Sequence, residues 1–117
     1  MEEKTASSTR TEHDLLGDME INASDLRGIH TLRAGANFAL SGRPVSPRLI
    51  RAYARVKRAC TRVNGDLGYL DARRASAIKT ACDEVVEGKL DEYFTLDALQ
   101  GGAGTSTNMN LNEVVAN

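Results

Sequence analysis

The stretch SPRLIRAYARVKRACTRVNGDLG, residues 46–68, decides the fold class. Ser46 and Pro47 make a good helix start, because serine suits the cap and proline the first helical position. Apolar residues then recur at Leu49, Tyr53, Val56, Cys60, Val63 and Leu67. The intervals alternate between four and three residues, which places all six on one face of a helix about five turns long. Gly65 and Gly68 supply the exit.

Downstream, Asp71 is the expected cap of a second helix. Its stripe is Ala75, Ile78, Cys82 and Val85, widened by Val86, and it stops near Gly88. The link between the two helices is short, so they are expected to be antiparallel neighbours. Leu90 to Leu99 reads as a connecting segment. Gly101-Gly102-Ala103-Gly104 cannot be regular structure, and Leu111, Val114 and Val115 then begin a third apolar stripe. That stripe is still running at Asn117, so the chain is expected to stop inside a helix. On the N-terminal side, Ile29 to Leu40 holds a short helix that ends before Ser41-Gly42-Arg43-Pro44. The alternation of Leu15, Leu16, Met19 and Ile21 about Gly17-Asp18 suggests a small hairpin or an extended arm between Thr11 and Asn22. The first ten residues read as a flexible tail ahead of a single domain over 11–117.

Composition agrees with a mainly α domain. The 117 residues are 41% hydrophobic and 26% charged, so a collagenous or wholly disordered chain is excluded. Only five aromatics are present and no Trp, which leaves a core of Leu, Ile, Val and Ala. Fifteen basic against sixteen acidic residues give a net charge of −1, which disfavours a globally basic nucleic-acid binder. No run approaches the roughly 20 apolar residues of a membrane span. The start, MEEKT, lacks the layout of a secretion signal, so a cytoplasmic location is expected. Cys60 and Cys82 form no C-x-x-C pair, and since both fall on apolar stripes they are expected to be buried reduced thiols. His13 and His30 lack Cys or acid partners at ligand spacing and read as surface or capping residues, so no metal site is expected.

Two constellations remain. Arg48, Arg51, Arg55, Arg58 and Arg62, with Lys57 beside them, recur at helical spacing opposite the apolar stripe of residues 49–67. Such a face could track phosphates or lie on anionic lipid. Without stacking aromatics it reads as an ordinary solvated face, and nucleic acid is not the expected partner. The second is QGGAGTSTNMNLNEVVAN, residues 100–117. Gly101, Gly102 and Gly104 let the backbone take positive φ and approach a ligand closely. Thr105, Ser106, Thr107 and Asn108 come next at the start of a helix, where unpaired N–H groups and the helix dipole favour an anion. Hydroxyl and amide donors suit a carboxylate. The alternative is a glycine-rich turn with a Ser or Thr cap. The run matches neither a Walker loop nor a dinucleotide fingerprint. Alternating Asn108, Asn110 and Asn112 are poor helix material and suggest side-chain work.

The run GGAGTSTNMNLNEVVAN closely resembles the first conserved region of aspartate ammonia-lyases in the aspartase/fumarase superfamily. EHDLLGDMEI at 12–21, GIHTLRA at 28–34 and ACDEVVEGKLDEYF at 81–94 resemble that family in the same order. Ala103, Ser106 and the pair His30-Thr31 are similar to aspartases rather than class II fumarases. Leu26-Arg27, Ala36 and Thr95 depart from the usual aspartase pattern.

The resemblance implies an N-terminal lyase domain, mainly α with a small β hairpin, truncated before the central helix bundle. It implies reversible elimination of ammonia from L-aspartate to give fumarate, without an organic cofactor, in a homotetramer. Thr105, Ser106 and Thr107 are implied to bind substrate carboxylate or amine, Asn108 to orient them, and Gly101, Gly102, Ala103 and Gly104 to form the supporting loop. The serine base of the family belongs to a later loop, so no catalytic base is expected here and the 117 residues alone are expected to be inactive. Apolar stripes left exposed would favour self-association.

Overall fold

A computed structural model describes residues 8–117, and the expectation of a tail over residues 1–7 lies outside them. The architecture is four helices behind an N-terminal hairpin. Strand β1 (Thr9–Asp14) pairs antiparallel with β2 (Gly17–Asn22), in a register that sets Thr9 opposite Asn22. Pairing thus begins at Thr9, inside the stretch read as tail. The turn falls at Leu15-Leu16 rather than at Gly17-Asp18. Asp14 Oδ1 accepts the Leu16 N–H at 2.8 Å, and Gly17 opens β2 at φ 119°. Arg10 ties the hairpin to the loop after β2, donating to the carbonyls of Asp25 at 2.7 Å and Arg27 at 2.8 Å.

Helix α1 spans Ile29–Asn37, α2 Pro47–Asp66, α3 Ala72–Val86 and α4 Thr105–Ala116. The α2 start at Ser46-Pro47 falls where the sequence implies, although the Ser46 side chain makes no capping hydrogen bond, and the α3 cap is as expected. Asp71 accepts the Arg74 N–H at 2.9 Å, and Gly88 turns the chain at φ 80° after α3. The α2–α3 pair is antiparallel. Arg58 near mid-α2 meets Asp83 late in α3, whereas Gly65 near the α2 end lies against Ala75 early in α3.

The core joins Val45, Ile50, Ala54, Val85, Phe94, Leu111 and Val114. Leu111 and Val114 belong to the predicted α4 stripe, and Cys82 and Val85 to that of α3. Helix α2 differs from expectation. Its buried residues are Ile50, Ala54 and Thr61, while Leu49, Val56, Val63 and Leu67 are exposed. The inward line is Ile50, Ala54, Lys57 and Thr61, also spaced by four, three and four. It carries small and polar side chains because α3 and α4 approach it closely and Lys57 meets a polar partner. Cys60 consequently lies exposed, contrary to the expected buried thiol, whereas Cys82 is buried and its burial pushes the thiol pKa up.

The segment between α3 and α4 is fixed by a distant stretch of the chain. Val45 N–H donates to Leu96 at 3.0 Å and Ala98 N–H to Arg43 at 2.8 Å, on either side of a bridge between Pro44 and Asp97. Asp97 is buried and accepts from Ser41 Oγ at 2.6 Å and from the N–H groups of Leu40, Ser41, Gly42 and Leu99. This carboxylate anchors the 40–42 turn to the segment that leads into α4.

Candidate functional site

The approach to α4 is a left-handed turn. Gly102, Ala103 and Gly104 have φ of 64°, 55° and 76°. Ala103 is the residue with a side chain in that conformation, which costs an L-residue roughly 1–2 kcal/mol. Gly104 is the N-cap of α4, so the cap is neither Ser nor Thr. No side-chain oxygen caps the helix, and its first turn holds no acidic residue. The positive end of the dipole is therefore not neutralised from within the helix.

The four residues singled out in the sequence divide at this turn. Thr105 is exposed and Ser106 half-buried, both at the helix start. Thr107 turns inward: it is buried, and its Oγ1 donates to Gln100 Oε1 at 3.2 Å. Gln100 in turn donates to the Asp97 carbonyl at 2.8 Å, so the turn hangs from the Asp97 anchor. Asn108 Oδ1 accepts from Lys57 Nζ at 2.8 Å. That assignment leaves the Asn108 amide N–H groups as donors and sets an ammonium beside the first turn. The supporting residues Gly101, Gly102, Ala103 and Gly104 lie together, and Gly101 packs near the Phe38 ring.

The sequence sets Lys57 with the basic stripe rather than at this helix start. Lys57 stood among the arginines in sequence, but two residues along a helix is about 200° of rotation, which carries it to the other side. That rotation was the available signal. Gln100 gave no periodic signal. Of the other asparagines, Asn110 is buried and serves the packing of the domain, donating to the Tyr93 carbonyl at 3.0 Å.

Three of the five arginines of the basic stripe lie within 4 Å of an acid. Arg51 lies 3.3 Å from Asp91, Arg58 2.6 Å from Asp83 and Arg62 3.9 Å from Asp66. His13 lies on the surface, 2.6 Å from Asp18, and the half-buried His30 has no partner for Nε2 among the described residues. Among the same residues no three His, Cys, Asp or Glu side chains converge, and no helix is long and apolar enough to cross a membrane.

A glycine-rich left-handed turn thus feeds an uncapped helix start that has hydroxyl, amide and ammonium groups beside it. A lyase family description matches residues 17–117, and the chain belongs to that family, which unites aspartases and fumarases. An aspartate ammonia-lyase from Pseudomonas fluorescens is 51% identical over 115 residues, which cover 97% of this chain and 24% of that protein. A class II fumarate hydratase from Halobacterium salinarum is 48% identical over 108 residues, covering 92% of this chain and 23% of the relative. The crystal structure of a fumarate lyase:delta crystallin from Brucella melitensis superposes with a TM-score of 0.89 at 47% identity, over 94% of this chain and 26% of that one. The chain thus spans about a quarter of the length of these relatives.

Proposed function

We propose that this sequence is the N-terminal portion of an aspartate ammonia-lyase, and that its α4 start binds a carboxylate of L-aspartate or fumarate. The observation that carries the reading is the uncapped helix start at Thr105–Ser106, flanked by Asn108 and Lys57 and free of acidic side chains. The residues that resemble aspartases, Ala103 and Ser106, sit in the turn and at the helix start respectively.

Elimination of ammonia requires removal of a proton from Cβ, which places a second negative charge on the adjacent carboxylate. Donors already aimed at that carboxylate stabilise the charge as it develops, without reorganising at the moment of reaction. In this reading the hydroxyls of Thr105 and Ser106 and the helix dipole supply that stabilisation. Thr107 and Gln100 hold the turn in place, and Lys57 holds the Asn108 amide. The base comes from outside these residues, so the 117-residue chain is inactive by itself.

The second reading is a class II fumarase, favoured by the 48% identity to the Halobacterium salinarum protein. Both are tested by a chimera in which this sequence replaces the matching quarter of the Pseudomonas fluorescens aspartase. Ammonia release from L-aspartate, lost on Thr105→Ala, supports the proposal. A folded chimera that leaves aspartate untouched refutes it.

A further inference from the structure

A side-chain clip spans the turn before α4. Asp97 and Thr107 lie on either side of Gly101–Gly104, and the half-buried Gln100 bonds to both. Its Nε2 donates to the Asp97 carbonyl at 2.8 Å, and its Oε1 accepts from Thr107 Oγ1 at 3.2 Å. Inside the turn the bonding is thin. Gly104 N–H reaches the Gly101 carbonyl only at 3.3 Å, and Thr105 N–H reaches that of Gly102. Glycine gives up more backbone freedom on ordering than any other residue, so glycines at 101, 102 and 104 leave the turn dependent on outside support. The far end of the clip is firm. The buried Asp97 carboxylate is held by the Ser41 hydroxyl at 2.6 Å and by the N–H groups of Leu40, Ser41, Gly42 and Leu99.

The direction of each hydrogen bond in the clip is forced. A backbone carbonyl only accepts, so Gln100 turns its nitrogen to Asp97 and its oxygen to Thr107. That oxygen also only accepts, so the Thr107 hydroxyl is the donor. A hydroxyl has one hydrogen to give, and an ionised carboxylate can only accept one. While the clip is closed, Thr107 has no proton for a substrate carboxylate. It is also only 4% exposed, which keeps its oxygen from a substrate amine. Thr105 and Ser106 carry the remaining hydroxyls of the helix start.

We propose that Thr107 is not a substrate ligand but, with Gln100, a positioning residue. The pair clips the glycine turn to Asp97 and so holds the hydroxyls of Thr105 and Ser106 where charge develops on the substrate, a role that rests on the reading of the α4 start as a carboxylate site. Donors fixed in advance stabilise a developing charge more than a charge already present in the ground state, so loss of the clip falls on the chemical step rather than on substrate binding.

The test uses the chimera of this sequence with the remainder of the Pseudomonas fluorescens aspartase, and its Gln100→Met and Thr107→Val variants, alone and combined. Two ligands are compared: succinate, with ordinary carboxylates, and the nitronate of 3-nitropropionate, which mimics the doubly charged carboxylate. Gln100→Met is expected to weaken the nitronate by at least about tenfold and succinate by less than about threefold, with kcat falling and KM little changed. Partial unfolding would lower the number of sites without splitting the two dissociation constants in this way. Thr107→Val is expected to cost less, because the bond from Gln100 to Asp97 survives, and to cost nothing further in the Gln100→Met background. Losses that multiply in the double variant would show that Thr107 meets the substrate itself and overturn the proposal. Equal weakening of both ligands by Gln100→Met, or of neither, also overturns it. Backbone hydrogen exchange over residues 101–106 gives a reading without any ligand: Gln100→Met is expected to speed it by at least about tenfold. A folded parent chimera that binds neither ligand refutes the carboxylate reading and the proposal together. Unchanged exchange in Gln100→Met, with both ligands bound by the parent, refutes the proposal alone.

Discussion

Lys57 of α2 and Asn108 of α4 are 51 residues apart in the chain, and their side chains meet at 2.8 Å. The contact joins the longest helix to the first turn of the helix that carries the candidate site. It also fixes the amide orientation, since an ammonium can only donate and Asn108 must present its oxygen. Hydrogen bonds involving a charged group contribute about 1.5–3 kcal/mol when well shielded, and this one is partly open to solvent. Lys57→Met is therefore expected to lower unfolding stability by about 1–2 kcal/mol. Chemical denaturation of the two proteins checks it, with Lys57→Arg expected to recover part of the loss.

Ala103 occupies a left-handed position between two glycines, at φ 55°. Ala103→Gly removes the clash between its Cβ and backbone, at some cost in unfolded-state entropy. The expected result is a gain of up to about 1 kcal/mol. An unchanged or lower denaturation midpoint would show that the turn is not strained.

Glu113 of α4 caps α1 from outside. Its Oε1 accepts the Thr31 N–H at 2.9 Å and the Thr31 hydroxyl at 2.7 Å, while Glu12 takes the Ile29 N–H at 3.0 Å. Thr31 is buried, so Glu113→Ala strands both donors and is expected to destabilise by about 1–3 kcal/mol. A Cβ on Gly28 would collide with Glu113 Oε2. Gly28→Ala should therefore reproduce much of that loss by displacing the same carboxylate. A double variant that is no worse than Glu113→Ala alone would confirm the shared cause.

The Asp97 carboxyl is held well below the usual range, first by the Ser41 hydroxyl and then by backbone N–H groups including that of Leu99. A depressed native pKa adds stability above the unfolded value of about 3.9, and that stability is lost as pH falls through the native value. Stability is therefore expected to drop steeply below about pH 4. Asp97→Asn should be less stable than the parent at neutral pH but have a shallower acid slope. Some slope remains, because Asp14 beside Arg33 and Asp25 beside Arg27 are also held low. Thermal unfolding from about pH 7 to about pH 2.5 distinguishes these outcomes.

The two thiols report on α2 directly. Cys60 is expected to react rapidly with a soluble disulfide reagent, and Cys82 only after denaturation, since burial raises its pKa. Two fast thiols would mean that α3 is not seated on α2 as described.

Local chemistry made the helix starts legible. Ser46-Pro47, Asp71 and the glycine turn before Thr105 all mark real boundaries, because caps and positive φ depend on residues next to one another. The facing of α2 was not legible. Its most hydrophobic stripe points outward except at Tyr53, which packs against the core, and its packed stripe reads as Ile, Ala, Lys and Thr, since close approach and a half-buried polar contact select small and polar side chains. The turn at Leu15-Leu16 was hidden for a related reason. Asp14 closes it through its own carboxylate, so the strand alternation about Gly17-Asp18 pointed to the wrong pair. At the candidate site, the run Thr105–Asn108 stood out in sequence, but that Thr107 turns inward and Lys57 joins it depended on long-range contacts.

The most direct measurement is a comparison of kcat/KM for L-aspartate and L-malate in the chimera carrying this sequence on the remainder of the Pseudomonas fluorescens aspartase. The expected result is ammonia release from aspartate, negligible dehydration of malate, and a fall of at least about 100-fold for Thr105→Ala, the scale of losing one donor to a developing oxyanion. A well-folded chimera that converts malate but not aspartate, or one indifferent to Thr105→Ala, would contradict the assignment.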